Sequence, residues 1–301
     1  MTYSIVARCP ETGMLGIGIA SHVLAVGRVA PYIEPGVGVV ATQSLVLMAH
    51  GERTLAGIRE GIGPAEALAT SLALDGTPEG RQVAAVASDG SVAAYSGPGC
   101  IPFAGDVQGD GFSAQANMMA NPGVPEAMAA AFEATNGQHL ATRILAALDA
   151  AESVGGDIRG RQSAALIVAA AESTGDPLVD RLVDVRVDDS PEPLPELRRL
   201  ARLALANQRL DVADALLAAG DVAGAAQAYR EATEQAPDYV EFSFWQAAAL
   251  ADAGDSQGAR QAWAAIAGSD ESARWEDLLD RVIRVGLVSP GAQVVLRGEP
   301  G

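Results

Sequence analysis

Lysine is absent from this 301-residue chain: all 20 of its basic residues are arginine. Schiff-base chemistry, and any mechanism that needs a lysine amine, is therefore excluded. Positive charge is also scarce. Thirty-eight acidic residues leave a formal net charge of −18, and without a basic stripe the chain is a poor match for nucleic acid or anionic lipid. Aromatics make up 4% of the residues, so Ala, Val, Leu and Gly must fill the interior. Two cysteines, Cys9 and Cys100, allow one disulfide but no disulfide framework. No uninterrupted apolar run approaches the ~18 residues of a membrane span. The first residues carry neither the basic nor the apolar region of a signal peptide. A cytoplasmic protein with no membrane partner is expected. Neither metal nor cofactor is expected. His22, His50 and His139 form no ligand cluster with each other or with the cysteines, and no phosphate-loop pattern occurs. His50 and His139 read as surface residues.

Hydrophobic residues make up 49% of the chain, enough for a large core and two domains. Met1 precedes Thr2, which opens the strand-like run Thr2-Tyr3-Ser4-Ile5-Val6-Ala7. Methionine ahead of a small residue is commonly trimmed. Trimming would place a free α-amine, with a reference pKa of about 7.7–8.0, beside the Thr2 hydroxyl. That is a nucleophile and its base in one residue. The competing reading is that Thr2 is simply residue 2.

Residues 4–7 and 15–21 flank the turn Pro10-Glu11-Thr12-Gly13 and read as a hairpin; 36–44 is a third strand. Helices are predicted over 52–61 and 64–74, the second with Pro in its first turn. Residues 82–87 and 91–95 make a second hairpin around Asp89-Gly90. Two more helices, 125–135 and 139–153, precede strands 163–170 and 182–187. Hairpin-linked strands with paired helices between them predict an α+β, four-layer αββα sandwich over residues 1–190.

The polar, proline-rich run Asp188-Asp189-Ser190-Pro191-Glu192-Pro193 breaks this pattern, and residues 195–301 read as all-helical. Within them Gly220-Asp221-x-x-Gly224-Ala225-x-Gln227-Ala228-Tyr229 recurs as Gly254-Asp255-x-x-Gly258-Ala259-x-Gln261-Ala262-Trp263. The offset equals the ~34-residue period of tetratricopeptide repeats. The segment is read as a peptide-binding groove or as a packing and dimerisation appendage.

Several segments in order resemble one family. They are Thr2-Tyr3-Ser4-Ile5-Val6-Ala7-Arg8, Gly16-Ile17-Gly18-Ile19-Ala20-Ser21, Gly38-Val39-Val40-Ala41-Thr42-Gln43-Ser44, Ser113-Ala114-Gln115-Ala116-Asn117-Met118, and Gly155-Gly156-Asp157-Ile158-Arg159-Gly160-Arg161-Gln162-Ser163-Ala164-Ala165. The chain over residues 2–189 is similar to the domain of unknown function 1028 family, which belongs to the N-terminal-nucleophile (Ntn) hydrolase superfamily. The resemblance implies the αββα fold and hydrolysis of an amide bond by an N-terminal Thr, Ser or Cys. It also implies a small-molecule or peptide amide as substrate. Cys9 stands where an Asp is expected in relatives.

On this basis Thr2 is the expected nucleophile, in a cleft between the sheets. Thr42, Gln43 and Asn117 are expected to assist catalysis, the backbone of 41–44 offering oxyanion donors. The alternative reading makes Thr42 and Gln43 caps of the next helix, and Asn117 a cap. Ser21, His22 and Gln115 are expected near the substrate, though a structural role for His22 stays open. Asp157, Arg159 and Arg161 precede a strand expected to pass beneath Thr2, and an Arg there could grip a carboxylate. An internal ion pair of Asp157 with one Arg is the alternative. Two further functions remain open. One is a non-catalytic scaffold. The other is a serine hydrolase using Ser4 or Ser21, for which no Gly-x-Ser-x-Gly elbow exists. A homodimer or higher homo-oligomer is expected, because two repeat units leave apolar faces to cover.

Overall fold

The computed structural model describes residues 2–298; Met1, the expected site of trimming, lies outside the described residues. The chain divides into two compact units between Ala201 and Arg202.

The first unit contains β1 (Thr2–Arg8), β2 (Leu15–Ser21), β3 (Pro31–Glu34), β4 (Gly38–Ser44), α1 (Met48–Arg59) and α2 (Pro64–Ala73). It continues with β5 (Arg81–Ala87), β6 (Val92–Ser96), β7 (Gly105–Gly109), β8 (Phe112–Asn117), α3 (Val124–Ala134) and α4 (Leu140–Ser153). It then runs through β9 (Ser163–Ala169), α5 (Pro177–Asp180) and β10 (Arg181–Val187) into α6 (Pro193–Ala218), within which the unit boundary falls. The fold is mixed α+β with two antiparallel sheets. One has six strands in the order β10-β9-β2-β1-β8-β7, the other four in the order β3-β4-β5-β6. Strands β1, β2, β4, β5 and β8 bring the two sheets face to face. Helices α3 and α4 cover the outer face of the six-stranded sheet, and α1 and α2 that of the four-stranded sheet.

Local chemistry explains the elements. Gly13 (φ 73°) closes the β1–β2 turn and Gly90 (φ 89°) the β5–β6 turn, both in left-handed backbone that glycine adopts without strain. Pro64 opens α2 at a position where no N–H is needed. His139 caps α4, its Nδ1 accepting from the Ala141 N–H at 3.2 Å. Packing of α4 on β2 depends on two glycines. A Cβ on Gly18 would lie 2.3 Å from Ile144 Cγ2, and one on Gly16 2.6 Å from Ile144 Cδ1. With few aromatics to hand, the core closes by this approach of helix to bare backbone.

Three strands escape the sequence pattern: β3, β7 and β8. The run 113–117, read as a cap ahead of a helix, is β8, and it pairs directly with β1. The strand expected beneath Thr2, β9, instead pairs with β2 and so lies one strand removed from β1. Cys9 and Cys100 are free thiols. His50 is fully buried rather than on the surface.

The second unit holds the C-terminal part of α6 with α7 (Val222–Gln235), α8 (Val240–Asp252), α9 (Ser256–Ala267), α10 (Ser272–Arg284) and α11 (Pro290–Arg297). Its core gathers Tyr229, Phe244, Trp263, Leu250 and Leu279. The sequence repeat has a structural cause. Gly220 and Gly254 take positive φ where a helix stops. One residue later Asp221 and Asp255 cap the next helix, each accepting from a Gly N–H three residues on at 2.9 Å. Tyr229 and Trp263 then fill equivalent buried places. No helix among the described residues is long and apolar enough to cross a membrane.

Candidate active site

Thr2 begins the central β1 and pairs with Ser21 of β2 on one side and Asn117 of β8 on the other. Strand alternation sends Thr2, Ser4 and Val6 into the layer between the sheets, and Tyr3 towards α4. Thr2 is 3% exposed. Its Oγ1 donates to Ser21 Oγ at 3.1 Å. Its carbonyl accepts from Gln43 Nε2 and Asn117 Nδ2, both at 3.3 Å.

These contacts belong to a buried amide network. Gln82 of β5 is its centre: Nε2 donates to the carbonyls of Gly105 (3.1 Å) and Ala116 (2.9 Å) and to Ser96 Oγ (2.8 Å). Gln82 Oε1 accepts from Gln43 Nε2 at 2.7 Å and Asn117 Nδ2 at 2.8 Å. Ser4 Oγ donates to Gln43 Oε1 at 2.7 Å and accepts from Gln115 Nε2 at 2.7 Å, and Ser113 Oγ donates to Gln115 Oε1 at 2.9 Å. The network leaves one loose end: Asn117 Oδ1 is buried without a partner.

The structure thus brings Thr2, Ser21, Gln43, Gln115 and Asn117 together. It also adds Gln82, which the sequence did not point to, and Ser4, which the sequence offered only as the nucleophile of the serine-hydrolase alternative. The available signal was the alternation Ser113-Ala114-Gln115-Ala116-Asn117, a strand pattern whose polar face is the inward one. Gln43 and Asn117 donate to Thr2 and Gln82, so both Asn117 Nδ2 hydrogens are engaged and neither is free for an oxyanion. Thr42 does not join them. It faces α1, its Oγ1 donating to the Leu47 carbonyl at 3.3 Å, while its N–H donates to the Ala30 carbonyl. Because this Oγ1 donates rather than accepts, it does not cap α1, which has no side-chain cap. Ser4, between two amides, has no base beside it.

On the other face of β1, Tyr3 donates to Glu152 of α4. Burial pushes the Tyr3 hydroxyl well above its ordinary pKa, and the Glu152 carboxylate adds to the rise. Arg161 bridges Glu152 and Glu192, meeting the latter at 2.8 and 2.9 Å. Arg159 grips Asp157 through two nitrogens, at 2.7 and 3.1 Å. Asp157 also accepts from the His22 N–H at 3.2 Å, and His22 Nδ1 lies 3.2 Å from the Arg161 carbonyl. Both arginines expected to grip a substrate carboxylate are therefore engaged with internal ones. Tyr3, Ser21, Asp157 and Arg161 line a tight crevice at this edge. The loops at the Thr2 end of the sheets leave apolar side chains in solvent: Val23 and Leu24 after β2, Leu45 and Val46 after β4, Ile101 and Phe103 beside Met118.

A second grouping imitates a catalytic triad. His50 Nδ1 lies 2.8 Å from Ser71 Oγ and its Nε2 2.9 Å from Asp75 Oδ2. Ser71 and His50 are both sealed from solvent, and Asp75 is tied to Arg81 at 2.6 Å. Bonds from Arg81, the Thr77 N–H and His50 hold the Asp75 carboxyl well below its usual range. No substrate reaches this Ser, and the grouping ties α1 to α2 and β5. Among the described residues no His, Cys, Asp and Glu cluster could hold a metal ion.

Residues 2–197 match the family of unknown function DUF1028. The chain belongs to that family. This DUF1028 chain also resembles a crystal structure of a protein from Silicibacter pomeroyi that is itself described as DUF1028. The TM-score is 0.60 at 31% identity, over 66% of this chain and 84% of that one. No curated protein matches.

Proposed function

We propose that the first unit is an Ntn-type amidohydrolase whose nucleophile is Thr2, freed when the bond ahead of it is cut. One observation carries this. The first residue of the central strand places a hydroxyl on Ser21 Oγ, and two amide donors grip its carbonyl, all between the sheets. The helix–sheet–sheet–helix layering and the resemblance to the Ntn superfamily support the reading. With a residue still attached, Thr2 is a buried hydroxyl beside a neutral peptide nitrogen. Cutting turns that nitrogen into an amine able to take the hydroxyl proton. Thr2 Oγ1 then adds to an amide carbonyl, the amine passes the proton to the leaving nitrogen, and an acyl ester forms. Water cleaves the ester to an acid and restores Thr2.

The substrate is a small amide, ureido compound or short peptide. The exposed apolar loops favour one with an apolar group, and the paired arginines argue against a carboxylate clamp. The test is the intact mass, followed by an amide screen. Loss of Met1, activity in wild type and Thr2→Ser, and none in Thr2→Ala is the expected result. Retention of Met1 in every molecule, or equal activity in Thr2→Ala, defeats it.

A non-catalytic scaffold is the second reading, favoured by the burial of Thr2 and by the engaged arginines. It predicts that Thr2→Ala changes nothing. We further read the helical unit as tetratricopeptide-like and the protein as a cytoplasmic homodimer or higher oligomer, which light scattering at micromolar concentration tests.

A further inference from the structure

The amide network can be satisfied in only one sense. The carbonyls of Gly105 and Ala116 can only accept, so Gln82 must turn its Nε2 towards them and its Oε1 away. Gln82 Oε1 can only accept, so Gln43 and Asn117 must turn their NH2 groups to it. Gln43 closes its other end on the Ser4 hydroxyl. Asn117 cannot do the same: its Oδ1 is left as a buried acceptor without a donor. Buried carbonyl oxygens are ordinarily paired, and an orphan at a site is a place for a missing donor. Asn117 is the direct cross-strand partner of Thr2. Side chains so placed stand about 4.5–5.5 Å apart at Cβ.

We propose that Asn117 Oδ1 is the seat of the Thr2 α-amine, waiting for the donor that appears when the bond ahead of Thr2 is cut. The proposal rests on the N-terminal-threonine reading and deepens it. A peptide nitrogen there carries one hydrogen; the amine brings new ones, and one completes Asn117. Asn117 is thus a positioning residue. It holds the base near Thr2 Oγ1 while its Nδ2 holds the Thr2 carbonyl. The side chains facing Thr2 from the packed strands are neutral: Ser21 from β2, Gln115 from β8, Gln43 from β4 and Gln82 from β5. The titratable groups at that end include His22 and Asp157, with Arg159 and Arg161 on the same loop, and Asp106 of β7, which accepts from Ser96 Oγ at 2.7 Å; Tyr3 and Glu152 occupy the other face of β1.

The test uses full-length protein released by a protease cut directly ahead of Thr2, labelled with ¹⁵N. With no lysine in the chain, the α-amine is the one aliphatic amine to titrate. The Asn117 side-chain NH2 signal should follow the amine's own midpoint, and it should show no such step when the chain is extended ahead of Thr2. An acceptor favours the charged amine, so Asn117→Leu should lower the midpoint by roughly half a unit or more, and Asn117→Asp should raise it by about one. Asn117→Asp keeps an acceptor of the same shape and serves if the Leu variant does not fold. An Asn117 signal indifferent to the amine, or one midpoint shared by wild type and Asn117→Asp, overturns the proposal. None of these readouts needs a substrate. A seated amine with no amide hydrolysed would sink the hydrolase and spare the seat. Hydrolysis with an indifferent Asn117 would do the reverse.

Discussion

Along the same three strands, the layer between the sheets changes character. On β1, Ser4 gives way to Val6; on β4, Gln43 to Ala41 and Val39; on β5, Gln82 to Ala84 and Val86. One end is an apolar core with Ile17 and Leu15, the other an amide network closed around Thr2. Both ends are fully buried. Apolar burial is non-directional and tolerates many arrangements. A buried amide network is favourable only when every donor meets an acceptor, so it admits few. A fold needs the first kind of core for stability. The second kind fixes where particular oxygens and nitrogens stand, and it lies where Thr2 lies.

If the polar end is as directional as its geometry implies, Gln82→Leu should be the costliest change. It orphans two backbone carbonyls and two amide donors, at about 1–3 kcal/mol each before relaxation. A loss on the order of 4 kcal/mol in urea unfolding is expected. Less than about 1 kcal/mol would mean the network is not a constraint. At the apolar end, Ile17→Ala should cost roughly 3 kcal/mol through lost contacts and a cavity. It should leave the Asn117 side-chain signals in place, whereas Gln82→Leu should move them. If both variants shift those signals alike, the two ends are not separate.

Tyr3 is a milder probe from the opposite face of β1. Its pKa is raised in the folded state, so the stability it lends is complete below the ordinary tyrosine value near 10 and is lost as pH rises past it. Tyr3→Phe should cost about 1 kcal/mol at neutral pH and flatten the decline of stability above about pH 10. A decline as steep as that of wild type would deny Tyr3 a part in it. Ser113→Ala, at the edge of the network, should cost about half to one kcal/mol by the same unfolding measurement. A larger loss would show cooperativity running the length of the network.

The sequence made the long elements readable because their patterns were local. Asp89-Gly90 announces a hairpin, Pro64 a helix start, and the paired Gly-Asp motifs two capped helices. It concealed β8 because the inward face of that strand is polar, inverting the usual assignment of polar residues to solvent. It concealed β7 and β3 because they are short and half-buried. Thr2 was named from the small residue that follows Met1, and Gln43, Gln115 and Asn117 from a resemblance; register brought them into contact. Thr42 was named as part of the 41–44 segment; a strand turns neighbouring side chains to opposite faces, which sends it to α1. The ion pair of Asp157 with one Arg, held open beside the carboxylate grip, is the one Arg159 makes; the partners of Arg161, Glu152 and Glu192, become its neighbours only through packing. His50 looked exposed because the partners that neutralise its burial, Ser71 and Asp75, stand on another element and its following turn.

The bare backbone at Gly16 and Gly18 also works as an index mark. Ile144 sits in the notch they leave, so α4 cannot creep along β2 without lifting a methyl group out of a fitted slot. A slip of one helical turn, about 5.4 Å, would carry Glu152, at the far end of the same helix, away from Tyr3 and Arg161. Two residues with no side chain thus calibrate where a carboxylate stands more than two turns farther along α4. A methyl added at Gly18 should be felt first as a misalignment at Tyr3.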